Sequence, residues 1–243
     1  MTDGEYILPR VRNGENGIKH IAVIDIESAP EKHTAEQMVA MARRSFNTGK
    51  TKSYEFRVQQ LRQMQKFLTE NEVEICEALL ADFKKPPHET YMLEIDLLIA
   101  EIDHFIKHLK DWMRPEKPEK PLINILDKLR IYSDPLGPVL GAIAGGNCCI
   151  IKPSEVSVCS AQLMCTKLPK YLDPECYPVF FGGIPETTDL LKQKFDYIFF
   201  TGSPQVGRII HAAAAKNLTP CTLELGGKSP TYIDSSGKIE VNV

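Results

Sequence analysis

Phe200-Thr-Gly-Ser-Pro-Gln-Val-Gly207, followed shortly by Thr222-Leu-Glu-Leu-Gly-Gly-Lys-Ser-Pro230, decides the fold. Tyr197-Ile-Phe-Phe200 reads as a buried strand, Gly202 as a tight turn and Ser203 as an N-cap. Pro204 is then the first helical residue, where a missing N–H costs nothing. The pattern predicts a helix over 204–216 that starts abruptly at a strand's end. Its free N–H groups and positive dipole end favour a phosphate, and Gly207 lets the backbone approach a ligand or the sheet closely. The G-x-x-x-x-G spacing by itself leaves both uses open, because many strand-to-helix turns carry such glycines for packing.

Thr222-Leu-Glu-Leu225 reads as a second strand, ended by Gly226-Gly227. Alternation puts Thr222 and Glu224 on one side, and Cys221, Leu223 and Leu225 on the other. Glu224 therefore stands near a strand's carboxyl end, the edge at which open α/β sheets bind ligands. A half-buried carboxylate there suits a general base; a solvated strand glutamate is the plainer alternative.

Working outward, strands are expected at Cys148 to Lys152, Pro178 to Phe181, Tyr197 to Phe200 and Thr222 to Leu225, with helices over 157–168, 185–194 and 204–216 between them. Such alternation implies a doubly wound parallel sheet with helices on its faces, an α/β fold. Ahead of it lies a helical region. Thr34 and Gln37 form a capping box before Met38, Met41, Ala42 and Ser45-Phe46, which trace one helical face. Further amphipathic helices follow over Tyr54 to Asn71 and Glu72 to Asp82, and, after Pro86-Pro87, over a long run to Trp112. His88, His104 and His108 have no acidic or cysteine partner at metal spacing, so no metal site is assigned.

The chain has 243 residues, enough for one or two domains with a real core, and a net charge of −3 with both signs scattered. No basic footprint for nucleic acid and no membrane segment is read from it. Seven cysteines, without metal spacing, read as reduced thiols in a cytoplasmic protein. Cys148, Cys149, Cys159, Cys165 and Cys221 are expected as small core residues.

Leu223-Glu-Leu-Gly-Gly-Lys-Ser-Pro230 resembles the signature of the aldehyde dehydrogenases. Ile151-Lys-Pro-Ser-Glu155, Gly182-Gly-Ile-Pro-Glu-Thr-Thr188, the Gly202 to Gly207 turn, and Ala212 to Lys216 with Leu218-Thr-Pro220 follow the family's order and look most like its class 3 branch. The resemblance covers about residue 34 to Asp234. It implies a Rossmann-like cofactor domain, NAD or NADP as cofactor, an aldehyde substrate and a homodimer. It also implies that Glu224 is the general base and that Lys152 and Glu155 hold the adenosine ribose. Gly202, Ser203, Val206 and Gly207 would face the pyrophosphate, with Leu225 beside the cofactor.

The same resemblance divides the chain into a tail (1–33), a helical part (34–114), and a proline-rich connector with a subunit-bridging strand around Leu129 to Ser133 (115–137). An incomplete nucleotide-binding part (138–234) and a second tail (235–243) complete it, and the catalytic domain is absent. Two departures stand out. If Pro138-Val-Leu140 is a strand, only seven residues, Gly141 to Asn147, join it to Cys148, too few for a parallel crossover. Leu140 instead runs into what resembles the last turn of the family's next helix, without the loop that carries the oxyanion-binding asparagine. The sheet is expected to lose that strand or let it slip, exposing apolar surface. The family's nucleophilic cysteine lies downstream of the glutamate motif, and no cysteine follows Cys221, which falls on the face opposite Glu224. The chain is therefore expected to be inactive alone, as a truncated form that at most binds nucleotide or partner subunits.

Overall fold

The computed structural model describes residues 33–119, 139–230, Tyr232 and Asp234. The expected strand around Leu129 to Ser133 and the 235–243 tail lie outside the described residues, as does nearly all of the expected N-terminal tail.

Helix α1 (Ala35–Asn47) starts on the expected capping box. The Gln37 N–H donates to Thr34 Oγ1 at 3.2 Å, and the Thr34 N–H to Gln37 Oε1 at 2.9 Å. Its buried Ala35, Met38, Ala42 and Ser45 recur at three and four, one face of a helix. A 3-10 turn (Lys50–Lys52) leads to α2 (Tyr54–Glu70), N-capped by Ser53, and then to α3 (Glu72–Phe83). After Pro86 the chain forms α4 (Pro87–Thr90), a π-helical turn (Tyr91–Ile95) and α5 (Asp96–Trp112). The single long helix expected here is thus interrupted by a wider turn.

Of the strand expected at Pro138 to Leu140, the described residues Val139 and Leu140 are helical. Val139 and Leu140 open helix α6 (Val139–Gly145), which confirms the reading of this stretch as the end of a helix. No parallel crossover has to be spanned, so the seven-residue connection is long enough. Nor is apolar surface exposed at the join: Leu140, Ala142, Ile143 and Ala144 are buried against α2 and α5. The helix ends in a Schellman motif, with the Gly146 N–H on Ile143 O and the Asn147 N–H on Ala142 O. Gly146 takes the left-handed conformation there, at φ +75°.

Helices α7 (Val158–Lys167), α8 (Ile184–Leu191) and α9 (Pro204–Lys216) match the expected helical stretches to within a few residues. Strands β1 (Ile198–Gly202) and β2 (Cys221–Leu225) pair in parallel, with Ile198 opposite Cys221 and Gly202 opposite Leu225. Gly202 is therefore the last residue of a strand, and the turn expected of it falls one residue later. The strands expected at Cys148 to Lys152 and Pro178 to Phe181 shrink to one parallel bridge, Ile151 to Val179. Pro178 has no N–H to give Cys149 O, and Pro153 ends the other segment, so the ladder cannot extend.

This reduced pair still has helices on both sides. Ile151 joins the main core with Leu61 and Phe67 of α2, Ile102 and Leu109 of α5, and Ile143 of α6. Ile150 and Phe180 pack with Ala35 and Met38 of α1 and Leu190 of α8. The result is a partial α/β fold, mostly helical, with two separate parallel pairings, the Ile151–Val179 bridge and the β1–β2 pair.

Candidate functional site

The two pairings position the predicted residues in two groups. In the first, Lys152 follows the bridged Ile151, and Pro153 turns the chain back so that Glu155 lies beside it. Lys152 Nζ donates to Glu155 Oε2 at 2.7 Å and to Pro153 O at 3.0 Å. The hydrogen bond from Lys152 holds the Glu155 carboxyl below the ordinary glutamate range. A fixed ammonium and carboxylate at the end of a parallel segment can bind vicinal hydroxyls, one as donor and the other as acceptor.

The second group surrounds the start of α9. Ser203 caps the helix, its Oγ accepting from the Val206 N–H at 3.3 Å, and Pro204 sits in the first turn as predicted. Leu223 and Leu225 of β2 face α9, and with Pro204, Gly207, Arg208, His211 and Ala212 they line a cleft of about 290 Å³. A helix N-terminus and the Arg208 guanidinium beside an apolar floor suit an anionic group attached to a flat, apolar one. Gly207, left open between ligand and sheet by the sequence, faces the sheet: a Cβ there would lie 2.8 Å from Leu225 Cδ2, the movable end of that side chain. Gly202 is small because a Cβ would fall 2.6 Å from the Phe200 ring.

Glu224, opposite Thr201 in the β1–β2 register, points with Thr222 to the other side of β2. Tyr197 OH hydrogen-bonds Thr222 Oγ1 on this face. Glu224 itself is exposed, so the half-burial expected of a general base is not supplied by the described residues. Cys221, three residues earlier, falls on the opposite face, as the sequence indicated. No described hydrogen bond or ion pair links the Lys152 group to the α9 group.

The thiols depart from expectation. Cys148, Cys149, Cys159, Cys165 and Cys221 are only partly buried, whereas Cys176, which the sequence did not single out, is fully buried. Also missed was Asp82 of α3, which caps α7 from another helix, accepting from the N–H groups of Cys159 at 3.1 Å and Ser160 at 2.8 Å. Among the described residues, no group of three or more His, Cys, Asp or Glu side chains is placed to hold a metal, and no helix is long and apolar enough to cross a membrane.

Parallel segments that end in a helix N-terminus, a Lys–Glu pair and a carboxylate belong to the α/β class of folds, in which ligands bind at the carboxyl ends of the strands. The family model for the aldehyde dehydrogenase family matches residues 17–243, and the chain belongs to that family. The match begins earlier than residue 34, so part of the segment read as a tail falls inside it. Over 221 residues the chain is 45% identical to a mouse protein, "Aldehyde dehydrogenase, dimeric NADP-preferring", covering 84% of this chain and 49% of the relative. It is 43% identical over 218 residues to rat "Aldehyde dehydrogenase family 3 member B1", covering 83% and 47%. The structure of Staphylococcus aureus AldH in a substrate-bound state superposes with a TM-score of 0.77 at 36% identity, over 82% of this chain and 47% of that one. The chain thus spans about half the length of the curated relatives it matches.

Proposed function

We propose that this chain supplies the cofactor-binding residues and the general base of an enzyme that oxidises an aldehyde to a carboxylic acid with NAD or NADP. One observation carries the reading. Lys152, Ser203 and Glu224 all stand at or just beyond the carboxyl ends of parallel segments, where an open α/β sheet binds its ligand. Lys152 and Glu155 hold the ribose hydroxyls, and the α9 N-terminus with Ser203 and Val206 faces the phosphates. Gly202 leaves room for the Phe200 ring and Gly207 for Leu225, which provides apolar floor. A nicotinamide held here would supply the hydride acceptor. Glu224 takes a proton from the water that releases the acid, which requires a covering that the described residues do not give. The mouse relative's name supports NADP as a cofactor and a dimer as the assembly, and seven free thiols support a cytoplasmic setting.

Titration of the 243-residue chain with NADP and NAD, followed through its single Trp112 or by heat, tests the cofactor half of the proposal. Saturable binding weakened at least tenfold by Lys152→Ala is expected, and no binding of either nucleotide overturns the assignment. Cys221, the cysteine nearest Glu224 in sequence, falls on the opposite face of β2, so these 243 residues are expected to leave aldehydes unoxidised. Glu224-dependent turnover would show a nucleophile other than those considered.

A further inference from the structure

The two short extended segments that lead to Lys152 and out of α7 bring two thiols together. The Cys149 N–H donates to Cys176 O at 2.9 Å and the Ile151 N–H to Pro178 O at 2.9 Å, with Ile151 opposite Val179. Counting back three residues along both parallel segments from that bridge sets Cys148 opposite Cys176. Opposed residues of parallel neighbours point to the same face, with backbones about 4.8 Å apart, inside the range of roughly 4.4–6.8 Å between Cα atoms that a disulfide spans. Cys149 points to the other face. Both thiols belong to the main core cluster, Cys148 half-buried at its margin and Cys176 fully buried.

The surroundings favour charge on the inner sulfur. Hydrogen bonding with the Cys148 thiol pushes the Cys176 thiol below the ordinary range and the Cys148 thiol above it. The Lys50 ammonium approaches from the 3-10 turn, held by Asp173 at 2.9 Å and Glu175 at 3.0 Å. Two thiols sharing a proton titrate as a pair, so the Cys176 thiolate can take the Cys148 proton at the moment of attack.

The geometry points to Cys148 and Cys176 as a dithiol that hydrogen peroxide converts to an intramolecular disulfide. The half-buried Cys148, the sulfur that peroxide can reach, passes its proton to the Cys176 thiolate as it attacks the peroxide oxygen; the O–O bond breaks, the Cys148 sulfur becomes a sulfenic acid and one water leaves. The Cys176 sulfur then attacks the Cys148 sulfur, forming the S–S bond and expelling the sulfenic oxygen as a second water. Both sulfurs are oxidised by one equivalent each and the peroxide is reduced. The cross-link ties the segment that ends in Lys152 to the one that follows α7.

The test uses the whole chain with hydrogen peroxide at a few equivalents, followed by alkylation in denaturant and peptide mapping. Two fewer alkylated thiols than the original seven are expected, together with a linked Cys148–Cys176 peptide that dithiothreitol releases. Cys148→Ser should abolish the cross-link, while Cys159→Ser should leave it intact. Mapping of the unsubstituted chain decides the matter even if the Cys148 variant folds poorly. Unchanged thiols, a cross-link between other cysteines, or Cys148 advancing to sulfinic acid without a link overturns the assignment.

Discussion

Gly146→Ala tests how the chain accommodates the short connection ahead of Lys152. At φ +75° an alanine is strained by about 1–2 kcal/mol. The larger penalty comes from what its Cβ meets: the Thr51 carbonyl oxygen at 2.6 Å, and Arg57 Nε and Nη2 at 2.6 Å each. Arg57 is the clamp of this region, donating to Thr51 O at 3.1 Å, Lys52 O at 3.2 Å and Ala144 O at 3.1 Å, the last an end carbonyl of α6. Hydrogen bonds from a charged donor contribute about 1.5–3 kcal/mol each, and displacing the guanidinium forfeits at least one. Gly49→Ala is the internal control, because Gly49 has nearly the same φ, +76°, with nothing within 4 Å of its Cβ. Loss of glycine freedom in the unfolded chain is common to both and cancels in the difference. The expected cost is about 1 kcal/mol for Gly49→Ala and about 3–5 kcal/mol for Gly146→Ala, read from urea unfolding by circular dichroism at matched slopes. In an Arg57→Ala background the Gly146→Ala cost should shrink by about 1–2 kcal/mol, the remainder being the clash with Thr51 O. Equal costs at the two glycines would refute the clamp.

Three further outcomes follow from the site. Lys152→Met should return the Glu155 carboxyl toward the ordinary glutamate range in a carbon-detected NMR titration. Because Glu155 is lowered in the folded chain, its contribution is present above the ordinary glutamate pKa and lost as pH falls through the folded value; a Lys152→Met chain whose acid limb is unchanged contradicts this pairing. Asp82→Ala removes the acceptor of two α7 N–H groups and the Ser160 hydroxyl, and should cost about 2–3 kcal/mol in thermal unfolding, with α7 amides exchanging fastest. Gly207→Ala meets only the movable end of the partly exposed Leu225 side chain and gains about 1 kcal/mol of helix propensity, so stability should change by less than about 1 kcal/mol. A large loss of NADP affinity at unchanged stability would give Gly207 to the cofactor instead of the sheet.

Local pattern was enough to determine several things here. The capping box at Thr34, the Ser203-Pro204 start of α9, the apolar spacing of α1, α2 and α5, and the opposite faces of Cys221 and Glu224 all follow from residues within a few positions of one another. Helix and strand periodicity are properties of neighbours. The family resemblance was legible for the same reason, since its motifs are short and continuous. Tertiary structure decided the rest. Whether Val139 and Leu140 form a strand or a helix depended on a core from α2 and α5 and on a guanidinium 87 residues away in sequence from the carbonyl it holds. The pairing of Cys148 with Cys176, the capping of α7 by Asp82 and the exposure of Glu224 likewise depend on which distant segments lie alongside. No local period encodes that choice, because it is made by packing between elements after each has formed.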